Sequence, residues 1–201
     1  MAEFDFSGLW NQINSNVFLF SLAVSIAIPF AVILLGYGIH LLGLTLATLA
    51  GLFMHSWSIS LIINYLFFPG VMLHELAHAL FAVLTGAKVT KVVLFKKEGD
   101  TLGHVEFRHR GGALLVAFQN IFISSAPMFV GGAVLFGCHY VIRQIPGAPL
   151  WLKIMMGYLG VSMFFHMTMS PQDIKVYVKG IPLFSCILFL VVFIFRLLGV
   201  F

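Results

Sequence analysis

Charge is what this sequence most lacks: only 9% of its 201 residues are Asp, Glu, Lys or Arg, against about 25% in ordinary soluble domains. From Phe6 to His74 there is none at all. That excludes a soluble globular chain. The 61% hydrophobic content also excludes disorder, which requires low hydrophobicity and high charge. Cysteine is equally sparse. Cys138 and Cys186 are the only two, both within apolar runs, so neither a disulfide framework nor a Cys-based metal site is expected. No basic stretch precedes the first apolar run, where Glu3 and Asp5 stand instead, so the first hydrophobic segment reads as retained rather than as a cleaved signal peptide. Acids become rarer still along the chain, and after Glu106 only Asp173 occurs.

What is present is membrane-spanning sequence. A bilayer crossing needs about 20 apolar residues, so the uncharged stretch alone holds more than one segment. The chain reads as an all-α polytopic membrane protein with five or six transmembrane helices and a short membrane-associated β-hairpin. Segments are expected over residues 17–40, with a kink at Pro29, and over 57–84, 111–142, 150–167 and 181–198. A sixth arises if the glycine-rich region 36–54 folds back. Residues 1–201 form one membrane-embedded unit, with N-terminal span or spans at 17–56, a catalytic core at 57–180 and a C-terminal span at 181–201.

The longest polar region, residues 88–110, has β-branched and aromatic runs on either side of a Gly/Asp-containing turn at 96–101, the pattern of a β-hairpin. The net charge of +4 sits mostly beside membrane segments, where it reports orientation and attraction to lipid rather than nucleic-acid binding. The basic hairpin and a Lys175/Lys179 loop are therefore expected on the cytoplasmic side.

Inside the apolar run 66–84 lies His74-Glu75-Leu76-Ala77-His78, an H-E-x-x-H motif. On a helix, positions i and i+4 share a face, so both imidazoles can bind one Zn²⁺ while Glu75 serves as general base. At 1.5 Å per residue His78 and Glu75 lie about 12 to 17 Å from the helix end expected at Gly86, and ionisable groups at that depth are functional unless a partner explains them. A catalytic zinc uses three protein ligands, so a third comes from elsewhere. Asp173 is the leading candidate, although Ser170 and Asp173 also have the spacing of a helix capping box with Pro171 at the first helical position. His166 competes, as a ligand, as a donor to the substrate carbonyl, or as a packing residue.

These residues resemble the site-2 protease family of intramembrane zinc metalloproteases. The resemblance runs in order from residue 69 to 180. It rests on the motif and its end at Gly86, on Gly103-His104-Val105, on Ser124-Ser125-Ala126-Pro127, and on Asp173. It implies His74, His78 and Asp173 as zinc ligands, Glu75 as catalytic base, and a hairpin that holds an extended transmembrane protein substrate. The chain departs from the family pattern where Ile174 follows Asp173 and no Asn lies nearby, and His166 is the residue that can supply the missing polar group. Three alternatives stand beside this reading. They are a non-cutting scaffold that binds helical clients, a metal or proton transport protein, and a membrane zinc protease of another family with Glu or His as third ligand.

Overall fold

The computed structural model describes residues 6–96 and 102–200. The helices are α1 (Phe6–Ser15), α2 (Val17–Ala50), α3 (Ser56–Leu61) leading into a π-helical turn (Ile62–Leu66), α4 (Phe68–Leu84), α5 (Ala113–Gln144), α6 (Leu150–His166) and α7 (Pro171–Leu197). Strands β1 (Lys88–Val93) and β2 (His104–Arg108) lie between α4 and α5. They pair antiparallel, with Lys88 opposite Arg108 and Val93 opposite His104, and a bulge between Val89 and Lys91. The expected hairpin strands are thus present, while its turn lies, from Lys97 to Thr101, outside the described residues.

Helix α2 is continuous for 34 residues, so region 36–54 does not fold back, and α1, unforeseen in the sequence, precedes it. At about 51 Å, α2 exceeds a hydrocarbon core of about 30 Å and must tilt or protrude. Among the described residues three helices, α2, α5 and α7, are long and apolar enough to cross a membrane, and a fourth crossing results if the helices on either side of Phe67 count as one bent span. Five or six independent spanning helices are not seen. Helix α6 has only 17 residues, about 26 Å.

The expected continuous segment 57–84 is broken, with its two parts bent by 54°. Pro69, in the first turn of α4, supplies the reason: it offers no N–H and its ring displaces the preceding turn. Helix α6 repairs the break. The buried Ser162 hydroxyl accepts from the Gly70 N–H (2.7 Å) and donates to the Phe67 carbonyl (2.7 Å), and the Tyr158 hydroxyl donates to the Leu66 carbonyl (2.5 Å). Ser162→Ala removes two of these bonds at a buried site and is expected to cost about 1–3 kcal/mol of stability. Unfolding in mixed detergent micelles measures this, and an unchanged midpoint would show that the break does not depend on Ser162.

Helix α5 is the central element. Half of its apolar window is buried, against 17% for α2 and 11% for α7. Its polar side chains account for this, because Gln119, Asn120, Ser124 and Ser125 are all buried and such groups in an apolar helix turn toward protein rather than lipid. Along α5, Ala117 meets Gly180, Met128 clusters with Met169, Gly131 meets Met163 and Met167, and Cys138 meets Gly160. Residue numbers on α7 and α6 fall as those on α5 rise. Both helices therefore run antiparallel to α5, one continuing the direction of the other.

This overturns the expectation of a Lys175/Lys179 loop that reverses the chain before a span at 181–198. Helix α7 begins at Pro171, and both lysines lie on its early turns. The physical reason is local: Ser170 and Asp173 form a complete capping box with Pro171 behind it, which starts a helix at that point. Helix α2 packs antiparallel to α7. The Tyr177 hydroxyl donates to the Pro29 carbonyl (3.2 Å), and the Arg196 guanidinium donates to the Asn14 carbonyl (2.5 Å) while covering Phe20.

Candidate metal centre

Helix α4 is regular through the H-E-x-x-H motif, so His74 and His78 project from one face. Carbonyl groups of two other helices orient the rings. His74 Nδ1 lies 2.6 Å from the His166 carbonyl oxygen at the end of α6, and His78 Nδ1 lies 2.8 Å from that of Ile123 in α5. A carbonyl only accepts, so each Nδ1 carries a hydrogen, and in the neutral ring each Nε2 keeps its lone pair for a metal. The two Nε2 atoms are 3.1 Å apart. Lone pairs at that separation repel unless a cation sits beside both.

Asp173 reaches the same point from the first turn of α7. Its Oδ1 is 3.3 Å from His78 Nε2 and its Oδ2 is 3.8 Å from His74 Nε2. Oδ2 also accepts from the Ser170 N–H (2.8 Å), while the Asp173 N–H donates to Ser170 Oγ (3.1 Å). The capping box is thus present, with Oδ2 in the cap, while Oδ1 is directed at His78 and stays available to a metal.

The donor set fits zinc. Tetrahedral Zn²⁺ holds N and O donors at roughly 2.0–2.2 Å, which sets donor–donor separations near ~3.3 Å. The 3.1 Å between the two Nε2 atoms and the 3.3 Å from His78 Nε2 to Asp173 Oδ1 lie close to that value, and the other carboxylate oxygen is 3.8 Å from His74 Nε2. Among the described residues, the His, Cys, Asp and Glu donors that converge within 4.8 Å of one another are those of His74, His78 and Asp173.

The His166 ring is not in this group. Its Nδ1 lies 2.8 Å from the Ser162 carbonyl oxygen, and its buried Nε2 has no hydrogen-bond partner among the described residues. What His166 brings to the centre is its backbone carbonyl, and a donor role for Nε2 toward a substrate oxygen requires the doubly protonated ring. Glu75 turns from the histidine face toward the hairpin. There, Gly103 passes so close that a Cβ would stand 2.8 Å from Glu75 Cγ.

A cavity of about 970 Å³ lies over the donors. Glu75, Asn64, Ser124 and Lys175 line it, with Leu102 and Val105 from the β2 side of the hairpin. Asn64 went unforeseen because the π-helical turn that carries it leaves no periodic trace in sequence. Gln119 and Ser162 were overlooked although a signal existed: a polar residue in a long apolar segment packs against protein. Compared with protein-family models, with curated proteins and with solved structures, the chain matches none of them.

Proposed function

We propose that this chain is an intramembrane zinc endopeptidase of the site-2 protease type, hydrolysing peptide bonds of transmembrane protein substrates in or near the bilayer. The observation that carries the reading is the convergence of two histidine Nε2 atoms and one carboxylate oxygen beside a cavity that Glu75 also lines. Bound to that donor set, zinc would supply a Lewis acid and bring the pKa of a coordinated water toward 7. Glu75 takes the proton of the attacking water as its oxygen bonds to the peptide carbon, then delivers that proton to the amine nitrogen as the C–N bond breaks. A helical substrate must unwind before attack. The free edge of β2, flanked by Leu102 and Val105 at the cavity, offers main-chain pairing to the unwound segment.

In this reading the chain crosses the bilayer four times: α2, α3 with α4, α5, and α6 continued by α7. The even number agrees with the Arg196–Asn14 contact, which joins the two ends of the described chain. The hairpin falls on the same side as those ends. Lys88, Lys91, Arg108 and Arg110 on the hairpin support the cytoplasm as that side, toward which the site would open. The break between α6 and α7, where Asp173 sits, is then irregular backbone at membrane depth, tolerated because it lines a cavity rather than facing lipid.

Metal removal tests the proposal. Purified protein is expected to carry close to one zinc per chain. Cleavage of a fluorescent transmembrane reporter in liposomes should vanish on chelation and return with added zinc. Unstripped protein without stoichiometric transition metal would overturn it.

A further inference from the structure

Gln119 is fully buried in the first half of α5, and its side-chain amide uses every hydrogen-bonding position it has. Oε1 accepts from the Arg110 N–H (3.3 Å) and lies 3.2 Å from His109 Nδ1, while Nε2 donates to the carbonyls of Thr85 (3.1 Å) and Arg110 (3.1 Å). The backbone partners fix the amide's orientation, since an N–H only donates and a carbonyl only accepts. One side chain thereby joins the end of α4, the helix of the metal ligands, to the residues that leave β2.

Between this junction and the site, Val89 and Phe107 of the hairpin pack on Ala82 and Ile123. At the far end of β2 lies Gly103, where a Cβ would stand 2.8 Å from Glu75 Cγ and 2.9 Å from the carbonyl oxygens of Val93 and Leu94. The strand therefore lies alongside α4 from Thr85 to Glu75, a rise of about 15 Å, touching the carboxylate's own side chain at one end and held by Gln119 at the other.

We propose that Gln119 is a positioning residue: it fixes where β2 sits along α4, and so sets which peptide bond of a β2-paired substrate faces Glu75. The inference rests on the protease reading for its substrate. Strand pairing repeats every two residues, so a hairpin freed to shift presents bonds two residues from the normal one.

Gln119→Met preserves side-chain length and removes all four bonds, and His109→Ala removes a single one from an exposed position. With each variant, zinc content, hydrogen exchange of the β2 amides, steady-state kinetics and the masses of the cleavage products are measured. Zinc is expected to stay at the wild-type level. In Gln119→Met, exchange across β2 should rise and KM should rise with it, each by roughly tenfold or more, as loss of several buried hydrogen bonds implies. New products cut two residues from the main site should appear, and His109→Ala should show the same changes more weakly. A merely structural loss of stability would lower zinc and total activity together without moving the cut.

Unchanged exchange with a single cleavage site in Gln119→Met overturns the inference. Should Gln119→Met fail to hold zinc, His109→Ala decides, and wild-type exchange and products there overturn it equally. Failure of the protease reading looks different: the wild type itself lacks zinc and cleavage, while the exchange measurement still tests the junction.

Discussion

Glu75→Gln is expected to lower cleavage of a transmembrane substrate by at least about 10²–10⁴-fold, the range that a positioned general base contributes, while zinc content stays at the wild-type level. The amide keeps the shape of the carboxyl group, so the close packing against Gly103 survives. It cannot accept the proton of the attacking water, which is the step at stake. Glu75 is absent from the converging donor group, so its replacement leaves the ligand set intact. Metal analysis and turnover of the same purified sample separate the outcomes. Normal turnover would place the base elsewhere, and joint loss of metal and turnover would make Glu75 a ligand.

The second large effect is expected at Asp173. Asp173→Ala removes the oxygen 3.3 Å from His78 Nε2 and the charge that would offset a divalent ion. Groups that merely orient a ligand are worth about 10–100-fold in metal affinity, so loss of a ligand should exceed that, and turnover should fall with it. The same change removes one of the two bonds of the capping box on α7, that from the Ser170 N–H, at about 1 kcal/mol, while the Ser170 hydroxyl still accepts from the backbone N–H at 173. Asp173→Asn distinguishes the two roles, because an amide oxygen can still accept the Ser170 N–H without supplying a negative charge. Asp173→Asn is expected to hold α7 and still bind zinc weakly. His74→Ala and His78→Ala should lose metal similarly. His166→Ala should retain it, because the carbonyl that orients His74 belongs to the backbone. Full zinc affinity in Asp173→Ala with loss in His166→Ala would reverse the assignment of the third donor.

By itself the sequence determined the medium and the histidine face. An uncharged stretch from Phe6 to His74 leaves no choice of solvent but lipid, and helical periodicity alone puts His74 and His78 on one side of α4. The hairpin strands and the capping-box spacing of Ser170 and Asp173 were also legible, because β-branched runs, turns and caps act over a few neighbouring residues, although residues 170–180 read as a loop and not as the start of α7. Other features were decided only by the tertiary structure. Apolar helices carry little directional information, since lipid rewards any face equally, and the count and direction of passes therefore depend on which helices meet. That α6 and α7 run on in one direction follows from contacts with α5 spaced along its whole length. The bend at Phe67 is tolerable because Ser162 and Tyr158, more than 90 residues later in the chain, satisfy its open backbone groups. The ring orientations that bring both Nε2 atoms to one point are set by the carbonyls of Ile123 and His166, which face Nδ1. Hydrogen bonds between residues so far apart have no period and no spacing, and only folding brings them within 3 Å of one another.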